Sequence, residues 1–251
     1  MLDVLWLLPL GFVAGTIGSM VGLGGGIIMV PAMTLAGYSS TLAVSVSLYA
    51  IFSNAVASTI SYARRGVIVY KTGLLMSSLA IPGTVIGAIA SSWVSRSEFH
   101  ALFGVLMVIV AVYMATKQNI KDNTIVGIAS ITAASVASFG AGMVSSFFGI
   151  GGGIIFVPIM IAVLGMNMLR AAPTSQFTLL FISFAGMISH TALGHTGFTE
   201  AALLSAGAFI GGLFGAKLAS KIKQKNLQII LAIMVAAAAV RLFIEALPEW
   251  F

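Results

Sequence analysis

Apolar residues run through this chain in ten long blocks, at roughly 4–20, 27–37, 41–63, 73–94, 98–116, 124–148, 154–165, 170–193, 199–220 and 226–247. Short stretches carrying glycine and two-thirds of the charges separate them. The blocks are continuous, which predicts helices, because β-barrel strands would alternate apolar and polar residues over about ten positions. A helix needs about 20 residues to cross a hydrocarbon layer of roughly 30 Å. Most blocks approach or reach that length, but 27–37 and 154–165 fall well short. Those two are predicted as half-helices, each entered from a glycine-rich loop.

The two short blocks belong to an internal repeat. Gly22-Leu23-Gly24-Gly25-Gly26-Ile27-Ile28-Met29-Val30-Pro31 returns as Gly149-Ile150-Gly151-Gly152-Gly153-Ile154-Ile155-Phe156-Val157-Pro158, at an offset of 127. At an offset of 128 the register continues through Gly37/Gly165, Ala43/Ala171, Ser47/Ser175, Ser61/Ser189, Gly66/Gly194, Gly83/Gly211 and Gly87/Gly215. The chain therefore divides into a first unit, 1–116, a linker, 117–123, and a second unit, 124–251.

Composition turns this helical pattern into a membrane assignment. Among 251 residues there are 12 Lys and Arg and 6 Asp and Glu, or 7% charged, against about 25% in soluble domains. Hydrophobic residues make up 59% and the mean hydropathy is +1.12. So much apolar surface needs lipid as its remaining solvent, which makes the bilayer a partner. There is no cysteine, so disulfides, thiolate metal sites and cysteine nucleophiles are excluded. The six carboxylates sit near the ends of apolar blocks, and no nucleophile–base or carboxylate pair marks an enzyme. No metal-binding cluster is expected. The net charge of +6 does not point to nucleic acid, since the basic residues are scattered among short loops. The N-terminus lacks the basic stretch of a signal peptide, so the first block is read as retained.

The basic residues also choose between two topologies. If each glycine-rich loop were a kink within one crossing, the loop Lys and Arg would divide about evenly between the two sides. If each loop is the tip of a hairpin, Arg64, Arg65, Lys71, Lys117, Lys121, Arg170, Lys217, Lys221, Lys223 and Lys225 share one side and only Arg96 and Arg241 lie opposite. The positive-inside rule favours the second arrangement. It predicts an all-α integral membrane protein of two inverted repeats, about five segments each. Its paired loops would lie between half-helices near the bilayer midplane, with both termini outside the cytoplasm.

The loops carry the candidate chemistry. Successive glycines reach positive φ cheaply and can aim several N–H groups into one concavity, beside the positive end of the helix that follows; this suits an anion. Gly24, Gly25, Gly26, Gly151, Gly152 and Gly153 are the candidate binding residues, with close helix packing as the plain alternative. Ser47, Asn54, Ser58 and Ser61 fall on one face of the following helix, matched by Ser175, Thr178, Gly186 and Ser189 with Gln176 adjacent. These neutral donors either line an anion pathway or bond helix to helix; Ser47, Asn54, Ser175 and Gln176 are the candidates for substrate contact. His190 lies about a turn from the loop at Gly194, as a possible proton-coupling group or an interfacial histidine. Arg241 and Glu245, four apart, read as a structural pair. The Arg64-Arg65-Gly66 corner is expected at the cytoplasmic interface.

With the GxGGG…P repeat, the Arg64-Arg65-Gly66 corner and Pro82-Gly83-Thr84-Val85-Ile86-Gly87-Ala88, essentially the whole chain resembles the TauE/SafE family of sulfite exporter-like anion permeases. The resemblance implies an inner-membrane transporter of small sulfur-containing anions such as sulfite, sulfoacetate or related organosulfonates, with no cofactor. The second unit departs from the first in having Leu193-Gly194 where the first has Arg65-Gly66, so no role of that arginine is doubled by symmetry. A permease for a different small anion, and a membrane scaffold or assembly protein with a purely structural repeat, are the alternatives.

Overall fold

The computed structural model describes residues 4–95, 97–99, 101–105, 108, 128–195 and 197–221, and among these every regular element is helical. In chain order they are α1 (Leu7–Val21), α2 (Gly26–Leu35), α3 (Ser40–Ala63), α4 (Tyr70–Ser91), α5 (Ile128–Phe148), α6 (Gly153–Ala162), α7 (Met168–Ala192) and α8 (Phe198–Leu218). Residues 97–99 and 101–105 are also helical. There the Ser95 N–H and hydroxyl donate to the Glu98 carboxylate at 2.9 and 2.8 Å, and the Glu98 N–H returns to the Ser95 hydroxyl at 3.3 Å. That reciprocal pair is a capping box. The block 226–247, most of 98–116, the linker 117–123, Arg96 and the Arg241/Glu245 pair lie outside the described residues.

The two units share an order of long helix, half-helix, long helix, long helix, and their local chemistry matches. α1 gives way to left-handed Gly22 and α5 to left-handed Gly149. α2 and α6, ten residues each, start from left-handed Gly25 (φ 94°) and Gly152 (φ 72°), a conformation that costs a residue with a Cβ about 1–2 kcal/mol. α3 and α7 are capped by Ser39, which accepts from the Leu42 N–H, and Asn167, which accepts from the Arg170 N–H.

Each unit packs chiefly on the other. α1 lies on α8 with the chains running in the same direction: Cβ atoms on Gly207, Gly211 and Gly215 would collide with the carbonyl oxygens of Leu8, Phe12 and Thr16 in turn. α4 lies on α5 likewise, with Gly83 and Gly87 against the carbonyls of Phe139 and Met143. In lipid such small-residue seams replace hydrophobic driving force with close backbone contact. α3 and α8 also run the same way, with Ser53 bonded to the Ser205 carbonyl and Arg65 to the Ala216 and Lys217 carbonyls. α4 follows α7, with Gly73 at Phe177 and Thr84 at Gly186.

By contrast, α3 and its counterpart α7 run in opposite directions. Ser58 meets Gln176, Phe52 meets Phe184, and Tyr49 meets Thr191. These directions gather the described basic side chains, Arg64, Arg65, Lys71, Arg170, Lys217 and Lys221, at one end of the bundle. The described carboxylates, Glu98 and Glu200, lie at the other.

Four helices, α3, α4, α7 and α8, have the length and apolarity to cross a membrane. Their outer faces leave large apolar side chains bare, among them Leu74 (57% exposed) and Phe198 (64%). An apolar surface this extensive requires a hydrocarbon environment.

Candidate anion site at the paired glycine loops

The two glycine-rich loops meet at mid-height of α3 and α7. A Cβ on Gly26 would strike the Gly149 carbonyl and Ile150 Cα, and one on Gly153 would strike the Gly22 carbonyl and Leu23 Cα, so the contact is reciprocal. Ile51, at the middle of α3, packs against Gly24, Gly26 and Gly151, and Leu179, its counterpart on α7, against Gly24. Residues Gly22–Ile27 and Gly149–Ile154 are all buried.

Hydrogen bonding within the loops is uneven. The N–H groups of Leu23 and Gly24 reach the Gly18 carbonyl, and those of Ile28 and Met29 reach the Gly25 carbonyl. Among the described residues, the N–H groups of Gly25, Gly26 and Ile27 meet no acceptor, and neither do those of Gly152, Gly153 and Ile154. A helix start always leaves such donors over, but burial without partners is unusual and favours a negatively charged occupant.

Several carbonyls of the same loops do have donors. Ser47 on α3 donates to the Gly149 carbonyl at 2.6 Å, and Ser175 on α7 donates to the Gly22 carbonyl at 2.7 Å. Asn54 donates to the Gly15 carbonyl at 2.9 Å and the Gly24 carbonyl at 3.4 Å. Gln176 donates to the Gly18 carbonyl at 2.9 Å and accepts from Ser58 at 3.2 Å. All four predicted polar residues therefore gather at the loops with their hydrogens directed at backbone oxygens. Ser47, Ser175 and Asn54 each occupy a carbonyl of the loops, and Gln176 occupies one near the end of α1, while the loop N–H ends stay uncompensated.

Other members of the stripes stand apart. Ser189 bonds the Ala185 carbonyl of its own helix, and Gly186 packs on Leu48 and Thr84. Thr178 joins α7 to α4 through the Gly73 carbonyl. His190 is fully buried away from the loops; its Nε2 lies 3.1 Å from the Ser146 carbonyl and its Nδ1 3.3 Å from Nδ1 of His195. In the first unit the Tyr62 hydroxyl donates to the Ser19 carbonyl at 2.8 Å in the matching place. The phenol and the imidazole do the same work, tying a long helix to the end of α1 or α5. Residue identity hid this equivalence, although the offset of 128 relates positions 62 and 190.

A cavity of about 230 Å³ opens at the acidic end of the bundle, lined by Gly37, Ser39, Ser40, Thr41, Val44, Ser91, Val94 and Phe99. Its floor residue Val44 touches the second loop, because a Cβ on Gly149 would sit 2.7 Å from Val44 Cα.

The family model described as Sulfite exporter TauE/SafE matches residues 7–242. The chain belongs to the TauE/SafE family. Relatives span nearly its whole length. Probable membrane transporter protein YunE of Bacillus subtilis is 29% identical, covering 96% of this chain and 97% of that protein. Probable membrane transporter protein MJ0441 of Methanocaldococcus jannaschii is 26% identical, covering 92% and 93%. YfcA of Escherichia coli, also a probable membrane transporter protein, is 21% identical, covering 93% and 87%. No solved structure matches the chain. As a TauE/SafE protein the chain is a multi-pass membrane transporter, and its function is transport rather than catalysis.

Proposed function

We propose that this TauE/SafE protein exports a small sulfur-containing anion, sulfite or an organosulfonate such as sulfoacetate, by alternating access of its two units around the paired loops. The observation that carries the reading is the junction itself: two buried rows of N–H groups without an acceptor among the described residues, at the starts of α2 and α6, brought together where the Gly22 and Gly149 carbonyls are already bonded. Backbone dipoles then supply the positive potential that side chains do not. The family description, Sulfite exporter TauE/SafE, supports a sulfur oxyanion as that anion.

The units are 1–116 and 124–251, joined by 117–123 and inverted relative to each other. The opposed directions of α3 and α7, and the reciprocal packing of α1 on α8 and α4 on α5, support inversion. The basic end of the bundle faces the cytoplasm, which puts both termini outside the inner membrane and makes the 230 Å³ cavity an outer vestibule leading by Val44 to the second loop. Rocking of one unit on the other would close it and open the basic end.

A negative-inside potential drives an anion outward by roughly 2.3 kcal/mol per charge per 100 mV. Sulfite loaded into proteoliposomes should therefore leave faster with the interior negative than with it positive. Flux indifferent to the sign of the potential would contradict electrogenic export, and absence of flux for sulfite and sulfoacetate alike would contradict the substrate class.

A further inference from the structure

The two loops are alike in backbone but not in what surrounds them. The first is pinned by two primary amides: Gln176 and the N–H groups of Leu23 and Gly24 all converge on the Gly18 carbonyl, and Asn54 holds Gly24. Around the second loop the positions matching Asn54 and Gln176 are Ile182 and, from the first unit, Leu48, which have no donor to give. The carbonyl matching Gly18 is that of Ser145; it accepts the Ile150 N–H at 3.2 Å, compared with 2.8 Å for Leu23 to Gly18, and no side-chain donor reaches it among the described residues. The second loop is held less closely.

Position 18 must be glycine, since a Cβ there would fall on the Gly25 nitrogen. Its counterpart carries a hydroxymethyl group. Ser145 Cβ lies 3.0 Å from where a Cβ on Gly152 would stand, beside the N-cap of α6. The Ser145 residue is fully buried and its hydroxyl has no partner among the described residues. The neighbouring Ser146 hydroxyl is likewise without a partner among the described residues, but many buried hydroxyls fold back onto the carbonyl four residues earlier, as Ser138, Thr178 and Ser183 do. Ser145 does not. A buried, unpartnered donor beside three unpaired buried N–H groups has the chemistry that holds an anion.

We infer that the substrate anion is held off the pseudo-two-fold axis, on the second loop, by the Ser145 hydroxyl together with the N–H groups of Gly152, Gly153 and Ile154. The first loop serves as the fixed half against which it is presented. This rests on the anion-transport reading above and adds to it a specific ligand and an asymmetry.

The test is anion binding to the purified full-length protein in detergent, with sulfite, sulfate and thiosulfate titrated separately by calorimetry and by thermal shift. Ser145→Ala should weaken the best-bound anion about tenfold or more, while the ligand-free melting temperature stays level or rises because an unpartnered buried hydroxyl has gone. Ser145→Thr should retain most of the affinity, and Ser138→Ala, whose hydroxyl is bonded within α5, should leave it unchanged. If Ser145→Ala does not fold, Ser145→Gly, the residue of the first unit, replaces it with the same expected loss. Wild-type affinity in a folded Ser145→Ala or Ser145→Gly protein would overturn this inference and leave the anion reading standing. A wild-type protein that binds none of the three would overturn both.

Discussion

Ser47 and Ser175 reach across the molecule to the same kind of target, a loop carbonyl of the opposite unit. Deleting either hydroxyl leaves that carbonyl buried and unpaired, so Ser47→Ala and Ser175→Ala should each destabilise by about 1–3 kcal/mol. Because the loops touch, the double variant should depart from additivity. Denaturant or thermal unfolding in detergent would measure this, and losses of only a few tenths would sink the proposed clamping role. This part of the site was legible in the sequence, since glycine repeats and matching serines stand out at offsets of 127 and 128. The amide pinning of the first loop was half legible: Asn54 and Gln176 are conspicuous in apolar blocks, but their backbone targets are not. Tyr62 and His190 were illegible as a pair, because a phenol and an imidazole share no sequence signal while bonding equivalent carbonyls. Ser145 is illegible in the sequence, since one serine in a helix containing Ser130, Ser135, Ser138 and Ser146 carries no mark until its neighbours are known.

The helices themselves were readable to within a few residues. The predicted half-helix 27–37 is Gly26–Leu35 and 154–165 is Gly153–Ala162, each starting from a glycine that only the backbone conformation could locate. Packing partners were not readable. Helices that are apolar all round show no stripe of hydrophobicity to orient them, and the seams turn instead on small residues. Gly211→Leu should force α8 away from the Phe12 carbonyl and the Thr16 nitrogen, with a cost of about 1–3 kcal/mol for overpacking. Gly140→Leu, where a Cβ meets nothing within 4 Å, is the matched control. A lower unfolding midpoint for Gly211→Leu alone is the expected outcome; equal midpoints would mean the seam is not tight.

At the scale of the molecule, the helix directions put the described Lys and Arg at one end, and this makes orientation testable in a chain without cysteine. Arg64→Cys and Trp93→Cys, placed at opposite ends, need no background removed. In intact cells a membrane-impermeant maleimide should label the cysteine at position 93 and spare that at 64, with the reverse in inside-out vesicles. The opposite pattern would invert the assigned topology. The parity of the crossings came from charge counting alone, whereas the pairing of the units needed the fold.

That pairing also bears on how the protein is made. Ser53 and its partner Ser205 lie 152 residues apart, and α1 and α3 find their neighbour in α8, the last of the described helices. At a synthesis rate of about 5–20 residues per second, the first unit waits on the order of 10 s in the membrane before its permanent contacts exist. During that interval Asn54 and the glycine faces of α1 are open to lipid or to an insertion chaperone. Biogenesis is therefore the stage at which this permease is most exposed to quality control.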